Sequence, residues 1–378
     1  MKKKKILVVF GTRPEAIKLA PLILLIKRQK NVSLKVCITA QHREMLDQVL
    51  KFFSIKPDYD LNIMSKNQSI NSVVSRISNK LDNILTKFKP DLVLVHGDTT
   101  TTFAASFSSF NLGIDIGHIE AGLRTGNILS PWPEEANRIL TTVISKFHFA
   151  PTLKAKNNLL SEGVKKKNII VTGNTVIDAL FLAMDILKRN NKLLLNIQKK
   201  LHFIKKNRRI ILITGHRREN LGSGFKSICK AIKQLANKNE DVDFVYPVHL
   251  NPGVRKYVFP ILGNKKNIKL INPLDYPSFI YLMNKSFIIL TDSGGIQEEA
   301  PSLGKPVLVM RNVTERPEAV IAGTVKLVGI NEEKIIKEVQ ILLKDKMVYR
   351  KMSKAHNPYG NGNASRKILS FINKKYEQ

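Results

Sequence analysis

Short runs of apolar, mostly β-branched residues recur along the chain. Most of them end in a polar turn that leads into a helical spacing of apolar positions. The first run is Ile6–Phe10, and the pattern after it predicts a helix from Pro14 to Arg28. Leu34–Thr39, Leu92–His96, Asp115–His118 and Phe147–Ala150 complete a first series. Ile210–Thr214, Phe244–Val248, Ile268–Ile271, Phe287–Thr291 and Val307–Met310 form a second. Runs that are apolar at nearly every position suit strands covered on both faces by crossover helices. Strand alternating with helix predicts the α/β class with parallel sheets. Two series of about five strands predict two doubly wound, Rossmann-like domains. The polar, Lys-rich stretch from Lys188 to Arg209 lies near the join, which places the boundary between residues 170 and 205. The domains are expected at 1–175 and 176–362.

In open α/β sheets, ligands bind beyond the carboxyl ends of the strands. The unusual polar residues of this chain fall there: Gly11-Thr12-Arg13, His96-Gly97-Asp98, His118-Ile119-Glu120, Gly215-His216-Arg217 and Asp292-Ser293-Gly294-Gly295. Strand ends from both halves are expected to face one interdomain cleft.

Composition narrows the class. With 378 residues and 43% hydrophobic content, the chain can bury a core without disulfide or metal staples. Cys37 and Cys229 lack metal or redox spacing. The apolar stretch Ile6–Phe10 is too short for a secretory leader, and nothing approaches a membrane-spanning run. A soluble, reduced, cytosolic protein with no membrane insertion is expected. The net charge of +32 raises the question of nucleic acid. However, only 16 of the 62 basic residues are arginine, and the lysines are scattered or clustered in loops. Arginine is the side chain favoured for bidentate recognition of phosphates and bases. Nucleic acid is therefore not the expected partner, although the positive field favours capture of a small anion.

The motifs refine that anion. Asp292-Ser293-Gly294-Gly295 follows a strand and opens a helix, where glycines let backbone N–H groups approach a phosphate. Glu299 lies about one turn inside, placed to accept from ribose hydroxyls. A plain N-cap with a tight turn is the alternative. There is no Walker A lysine and no Gly-x-Gly-x-x-Gly, so ATP-type and dinucleotide cofactor sites lack support. Thr12-Arg13-Pro14-Glu15-Ala16 is echoed by Thr314-Glu315-Arg316-Pro317-Glu318-Ala319. A cation beside a helix N-terminus opposes the helix dipole, and a bound anion resolves the conflict. Arg13 and Arg316 are thus candidate clamps, and Lys18, one turn on, can join the first. Solvated arginines are the alternative. Asp98 and Glu120 each follow a histidine by two residues, on what would be one strand face. No fixed ligand spacing supports a metal there. Carboxylates at strand ends read better as proton-transfer groups. Glu134, after Pro131-Trp132-Pro133, joins them, with Glu135 beside it. Next to His216, Arg217-Arg218 again suggest phosphate.

Together these segments resemble the non-hydrolysing UDP-N-acetylglucosamine 2-epimerase family. The resemblance rests on Phe10–Lys18, Thr39–Leu46, Val95–Thr101, His118–Gly126, Ser130–Arg138, Thr214–Asn220 and Thr291–Arg311. It runs from Phe10 to about Gly362, and is strongest to members supplying UDP-N-acetylmannosamine for enterobacterial common antigen. It implies a glycosyltransferase-B-like fold, with a last helix (363–378) returning to the first domain. It implies Asp98, Glu120, Glu134 and His216 as catalytic residues. Arg13, Lys18, Asp98, Glu120, His216, Phe279, Ser293, Gly294, Gly295, Glu299 and Arg316 match sugar-nucleotide positions. Leu274 stands where the enterobacterial member has Gln on the uracil side, so only its backbone can serve. The segment Gln41-His42-Arg43-Glu44 matches a second, activating sugar-nucleotide site, with Glu44 where some relatives have Gln. No cofactor or metal is implied; UDP-N-acetylglucosamine, UDP-N-acetylmannosamine and UDP are the expected ligands, and a homodimer the expected assembly. Two other activities stay open on the same residues. One is a hydrolysing epimerase releasing UDP and N-acetylmannosamine, and the other is a GT-B glycosyltransferase.

Overall fold

The computed structural model describes residues 3–40, 43–65 and 68–376. The chain divides into two compact units, Met1–Leu182 with Tyr359–Gln378, and Ala183–Pro358. The changeover lies inside the helix Thr175–Arg189, and the Lys-rich stretch after it carries a further helix, Asn191–Lys200.

The first unit holds β1 (Lys4–Phe10), β2 (Val32–Ile38), β3 (Tyr59–Asp60), β4 (Leu92–His96), β5 (Asp115–Ile119), β6 (Phe147–Ala150) and β7 (Ile169–Val171). They form one parallel sheet in the order β3-β2-β1-β4-β5-β6-β7. The second unit holds β8 (Arg209–Thr214), β9 (Val242–Pro247), β10 (Ile268–Ile271), β11 (Ile288–Thr291), β12 (Val307–Val309) and β13 (Val325–Leu327). Their parallel order is β10-β9-β8-β11-β12-β13. Both sheets are doubly wound, and each reverses direction next to its first strand: between β1 and β4, and between β8 and β11.

Burial explains the central strands. Ile6–Phe10 and all of β4 are buried, as runs enclosed by helices on both faces must be. The strands that the hydrophobic pattern does not announce are β3, β7 and β13, all at sheet edges. They are two or three residues long and partly exposed: β3 and β13 carry no continuous apolar run, and in β7 the run Ile169-Ile170-Val171 is only three residues long.

The last helix, Ala364–Tyr376, belongs to the first unit. The carboxylate of Asp178 accepts from the backbone N–H of Ala364 at 3.1 Å and of Ser365 at 2.8 Å. It thereby satisfies donors that a helix start leaves open. Phe371 packs edge-on against Phe147 and Phe149, and the Tyr376 hydroxyl donates to Asp115 at 2.8 Å. Among the described residues, no helix is long and apolar enough to cross a membrane.

Candidate active site

At the first switch point, β1 is followed by Gly11-Thr12-Arg13 and β4 by Gly97-Asp98. Gly11 has no alternative here, since a Cβ would collide with the hydroxyls of Thr39 and Thr101. The helix Arg13–Lys27 starts with Thr12 as N-cap and Glu15 completing a capping box. Glu15 does more than cap. It accepts from the backbone N–H groups of Gly11 (3.0 Å) and Thr12 (2.8 Å), and its other oxygen accepts from the Thr99 hydroxyl (2.8 Å). One buried carboxylate thus ties the turn after β1 to the turn after β4. Burial pushes its pKa up, against the pull of those hydrogen bonds.

Arg13 is the first helical residue, and Lys18 lies further along the same helix, bonded to Glu120. Glu120 stands just past β5 with a positive φ of 64°, a conformation rare for a residue with a side chain. Its Oε2 takes Lys18 Nζ and Asn174 Nδ2, the latter at 2.7 Å. A Cβ on Gly97 would lie 3.7 Å from its Oε1, so Glu120 abuts the turn that carries Asp98. Asp98 is held by Arg138, whose guanidinium also reaches Glu135 Oε2 at 2.8 Å. Glu135 in turn accepts from the backbone N–H of Thr125 at 2.8 Å. Glu134 opens the helix Glu134–Ile144 half-buried, and no ion pair or side-chain hydrogen bond among the described residues engages it. The two neighbouring acids therefore divide: Glu135 is buried and structural, while Glu134 is available.

The two histidines differ from the strand-face expectation. His96 and His118 are buried in the sheet, and desolvation pushes their pKa values down to about 4 and about 3. Both rings are therefore neutral. His118 Nε2 donates to the Gly97 carbonyl at 2.7 Å, bracing the turn before Asp98. Asp98 does not share a strand face with His96, because β4 stops at His96 and Gly97 turns the chain at φ +68°. Glu120 likewise lies past the end of β5. Among the described residues, no group of three or more His, Cys, Asp or Glu is placed to hold a metal ion.

At the second switch point, β8 is followed by Gly215-His216-Arg217 and β11 by Asp292-Ser293-Gly294-Gly295. The helix Gly294–Glu299 begins after Ser293, whose hydroxyl makes no capping bond, so the plain N-cap does not account for this serine. A Cβ on Gly294 would lie 3.8 Å from an Arg316 guanidinium nitrogen and 4.0 Å from one of Arg217. Two guanidinium groups thus converge over a bare backbone, an arrangement suited to a diphosphate. Buried Glu298 pairs with Arg316 and aims it. Glu315 lies 3.6 Å from Arg217 and 3.9 Å from Arg316, and so offsets part of their charge. Glu299 is buried one turn into the helix, and Phe279 and Leu274 are half-buried in and before the helix Tyr276–Lys285. The His216 ring is nearly half exposed and stacks on His249, centroids 5.0 Å apart.

The proposed activating segment is only partly visible. Gln41, His42 and the side chain of Arg218 lie outside the described residues. Arg43 is bound to both oxygens of Asp60, at 2.7 and 3.0 Å, and Glu44 is exposed.

These geometries have close parallels. The family model described as UDP-N-acetylglucosamine 2-epimerase matches residues 25–373. The chain belongs to the UDP-N-acetylglucosamine 2-epimerase family. It is an enzyme of the isomerase class. The UDP-N-acetylglucosamine 2-epimerase of Escherichia coli K12 is 57% identical over 368 residues, 97% of this chain and 98% of that one. A crystal structure of the Neisseria meningitidis epimerase bound to UDP-GlcNAc is 57% identical, with a TM-score of 0.90, covering 98% of this chain and 100% of that one. The Methanocaldococcus jannaschii epimerase, solved in complex with UDP-GlcNAc and UDP, is 35% identical with a TM-score of 0.80, covering 98% and 99%. A glycosyltransferase from Rickettsia africae, 16% identical with a TM-score of 0.64, shares the two-unit Rossmann-like fold alone.

Two residues of this family member's site, Arg138 and Glu298, carry no local sequence signal. Arg138, Glu298 and Asn174 act through partners 40, 18 and 54 positions away. For Asn174 a signal exists: it follows the short apolar run Ile169-Ile170-Val171 of β7 closely, where the strand-end rule applies.

Proposed function

We propose that this chain interconverts UDP-N-acetylglucosamine and UDP-N-acetylmannosamine by eliminating UDP and adding it back. The C2 proton is not acidic, so the C1–O bond to UDP breaks first or together with proton loss. Its electron pair leaves on the β-phosphate, a base takes the C2 proton, and 2-acetamidoglucal forms. Readdition of UDP, with a proton delivered to the opposite face, inverts C2. Proton transfer falls to Asp98, Glu120 and Glu134. Arg13, Lys18, His216 and Arg316 serve the diphosphate. Ser293, Gly294 and Gly295 supply backbone to it, Glu299 takes the ribose, and Phe279 with the backbone of Leu274 the uracil. The observation that carries this reading is the Glu120 carboxylate. It is held by Lys18 and Asn174 in a strained backbone beside Asp98.

In D2O, without added cofactor, both product and recovered substrate should gain deuterium at C2, and the sugar should stay nucleotide-linked. Retention of the original proton would sink the elimination route, and free N-acetylmannosamine would favour hydrolysis.

We also infer a homodimer. The helices Thr100–Asn111 and Glu134–Ile144 pack together. Each leaves a pair of large apolar side chains exposed three residues apart: Phe107 with Phe110, and Leu140 with Val143. Residues three apart share a helix face, and apolar surface of this kind marks an interface. A second copy of the same helix pair is an occupant of matching chemistry. Val143→Glu should halve the mass measured by light scattering. A parent protein that already runs as one chain would overturn the assignment.

A further inference from the structure

Asp292 is the residue just after β11, at the second switch point, and it is fully buried. Its two oxygens have different surroundings. Oδ2 accepts from the backbone N–H of His216 and of Arg217, each at 2.9 Å, and from the Asn220 amide at 3.4 Å. Oδ1 is buried without a hydrogen-bond donor and lies 3.7 Å from His216 Nδ1. A buried polar atom left without a partner costs about 1–3 kcal/mol, and more when it is charged. An oxygen kept in that state, facing an imidazole nitrogen, points to use.

The surroundings fix everything here except the ring. The Tyr246 hydroxyl donates to the Gly215 carbonyl at 2.8 Å, and the Thr214 and Thr291 hydroxyls meet at 2.6 Å. With these ties, the backbone of residue 216 is held from both sides. The His216 ring remains nearly half exposed, and a small rotation would bring Nδ1 from 3.7 Å to hydrogen-bond distance of Asp292. Hydrogen bonds of this kind are often long in a free enzyme and tighten in the complex.

We propose that Asp292 is the positioning residue of His216, holding its Nδ1–H so that Nε2–H is presented to the departing diphosphate. The proposal rests on the epimerase reading of the site. When the C1–O bond breaks, its electron pair goes to a β-phosphate oxygen. A ring that keeps both protons, one on each nitrogen, meets that charge as a cation, and no bond to His216 forms or breaks. The charged and titratable groups facing the ring are Asp292, His249 and Arg217. The imidazole pKa lies below its ordinary value: burial above all, with His249 and Arg217, pulls it down, and Asp292 opposes them. The carboxylate thus acts in the direction the chemistry needs. A carboxylate behind a catalytic histidine is known to set tautomer and stabilise the imidazolium in acyl transfer. Here the same arrangement would serve a leaving group.

A purely structural Asp292 would act through Oδ2 alone, by tying the turn 215–217. Asp292→Asn separates the roles, since the amide oxygen can keep the backbone bonds while the amide nitrogen replaces Oδ1. Two measurements on the full-length protein decide. In ring NMR, with His216→Gln as the assignment control, the His216 pKa should fall by about one unit or more in Asp292→Asn. In steady-state kinetics with UDP-N-acetylglucosamine, kcat should fall about ten- to a hundredfold, with KM changed less than about threefold. Adding His216→Asn to Asp292→Asn should cost no more than His216→Asn alone. An unmoved His216 titration, or losses that multiply in the double variant, would overturn the proposal. Should Asp292→Asn not fold, the unaltered protein still tests it. Nitrogen NMR of the UDP complex should show both ring nitrogens of His216 protonated, and a neutral ring, whichever nitrogen carries its proton, would overturn it. The NMR arms do not depend on turnover, so failure of the epimerase reading and failure of the Asp292 assignment remain distinguishable.

Discussion

Asp98→Asn is expected to lower kcat by about a hundredfold or more, the scale of a lost general acid or base. UDP affinity, measured by calorimetry, should stay within about threefold. The amide preserves the shape and one oxygen for Arg138. It removes the charge that Arg138 now balances and the basicity that proton transfer needs. Arg138 would keep Glu135 as its second anchor at 2.8 Å, so the helix Glu134–Ile144 and the turn at Thr125 should hold. Unchanged thermal stability with lost turnover is therefore the expected signature. Near-normal turnover would remove Asp98 from the proton-transfer set. A turnover loss matched by a drop in melting temperature would assign Asp98 to the framework instead.

The strand ends were the readable part of this molecule, and physics explains why. A central parallel strand must be apolar throughout, so a polar residue at its carboxyl end stands out. Gly11 to Arg13, Asp98, Glu120, His216 and Asp292 were all visible in this way. The strand order 3-2-1-4 then places the first and fourth strands of each unit side by side. Register does the rest: Thr214 pairs with Thr291, so the residues that follow, Gly215-His216 and Asp292, are neighbours across 76 positions of sequence. No local period encodes that pairing. For the same reason Asp292 read as part of a phosphate loop rather than as a partner of His216. Arg138 and Glu298 were hidden more deeply, since a charged residue on a helix gives no sign of the carboxylate or guanidinium it will meet. The edge strands β3 and β13 are hard to read because half-exposed pairs and triplets carry a polar residue in place of an apolar run, and β7, apolar throughout, is hard to read because it is only three residues long. Burial, finally, decides the histidines. Sequence spacing put His96 and His118 beside the carboxylates, but the sheet encloses both rings, and burial holds them neutral.

Glu120→Gln should also cost about a hundredfold or more in kcat, with deuterium exchange at C2 lost in parallel. The backbone supplies an independent reason. A left-handed conformation costs a residue with a Cβ roughly 1–2 kcal/mol, and Glu120 adopts it at φ +64°. Strain kept at the end of a central strand implies that the side chain is needed where that backbone puts it. Oε2 takes Lys18 and Asn174, and Oε1 lies on the side of the Asp98 turn. Glutamine can still satisfy one of the two donors but cannot accept a proton at that oxygen. Glu120→Gly provides the contrast. Glycine relieves the strain while forfeiting the ion pair with Lys18, and these changes oppose one another. Its stability in denaturant should therefore move by no more than about 2 kcal/mol, while turnover falls at least as far as in Glu120→Gln. If either variant keeps turnover within about tenfold of the parent, Glu120 does not carry the C2 proton. If Glu120→Gly instead loses most of its stability, the strained backbone is there for the Lys18 ion pair rather than for the reaction.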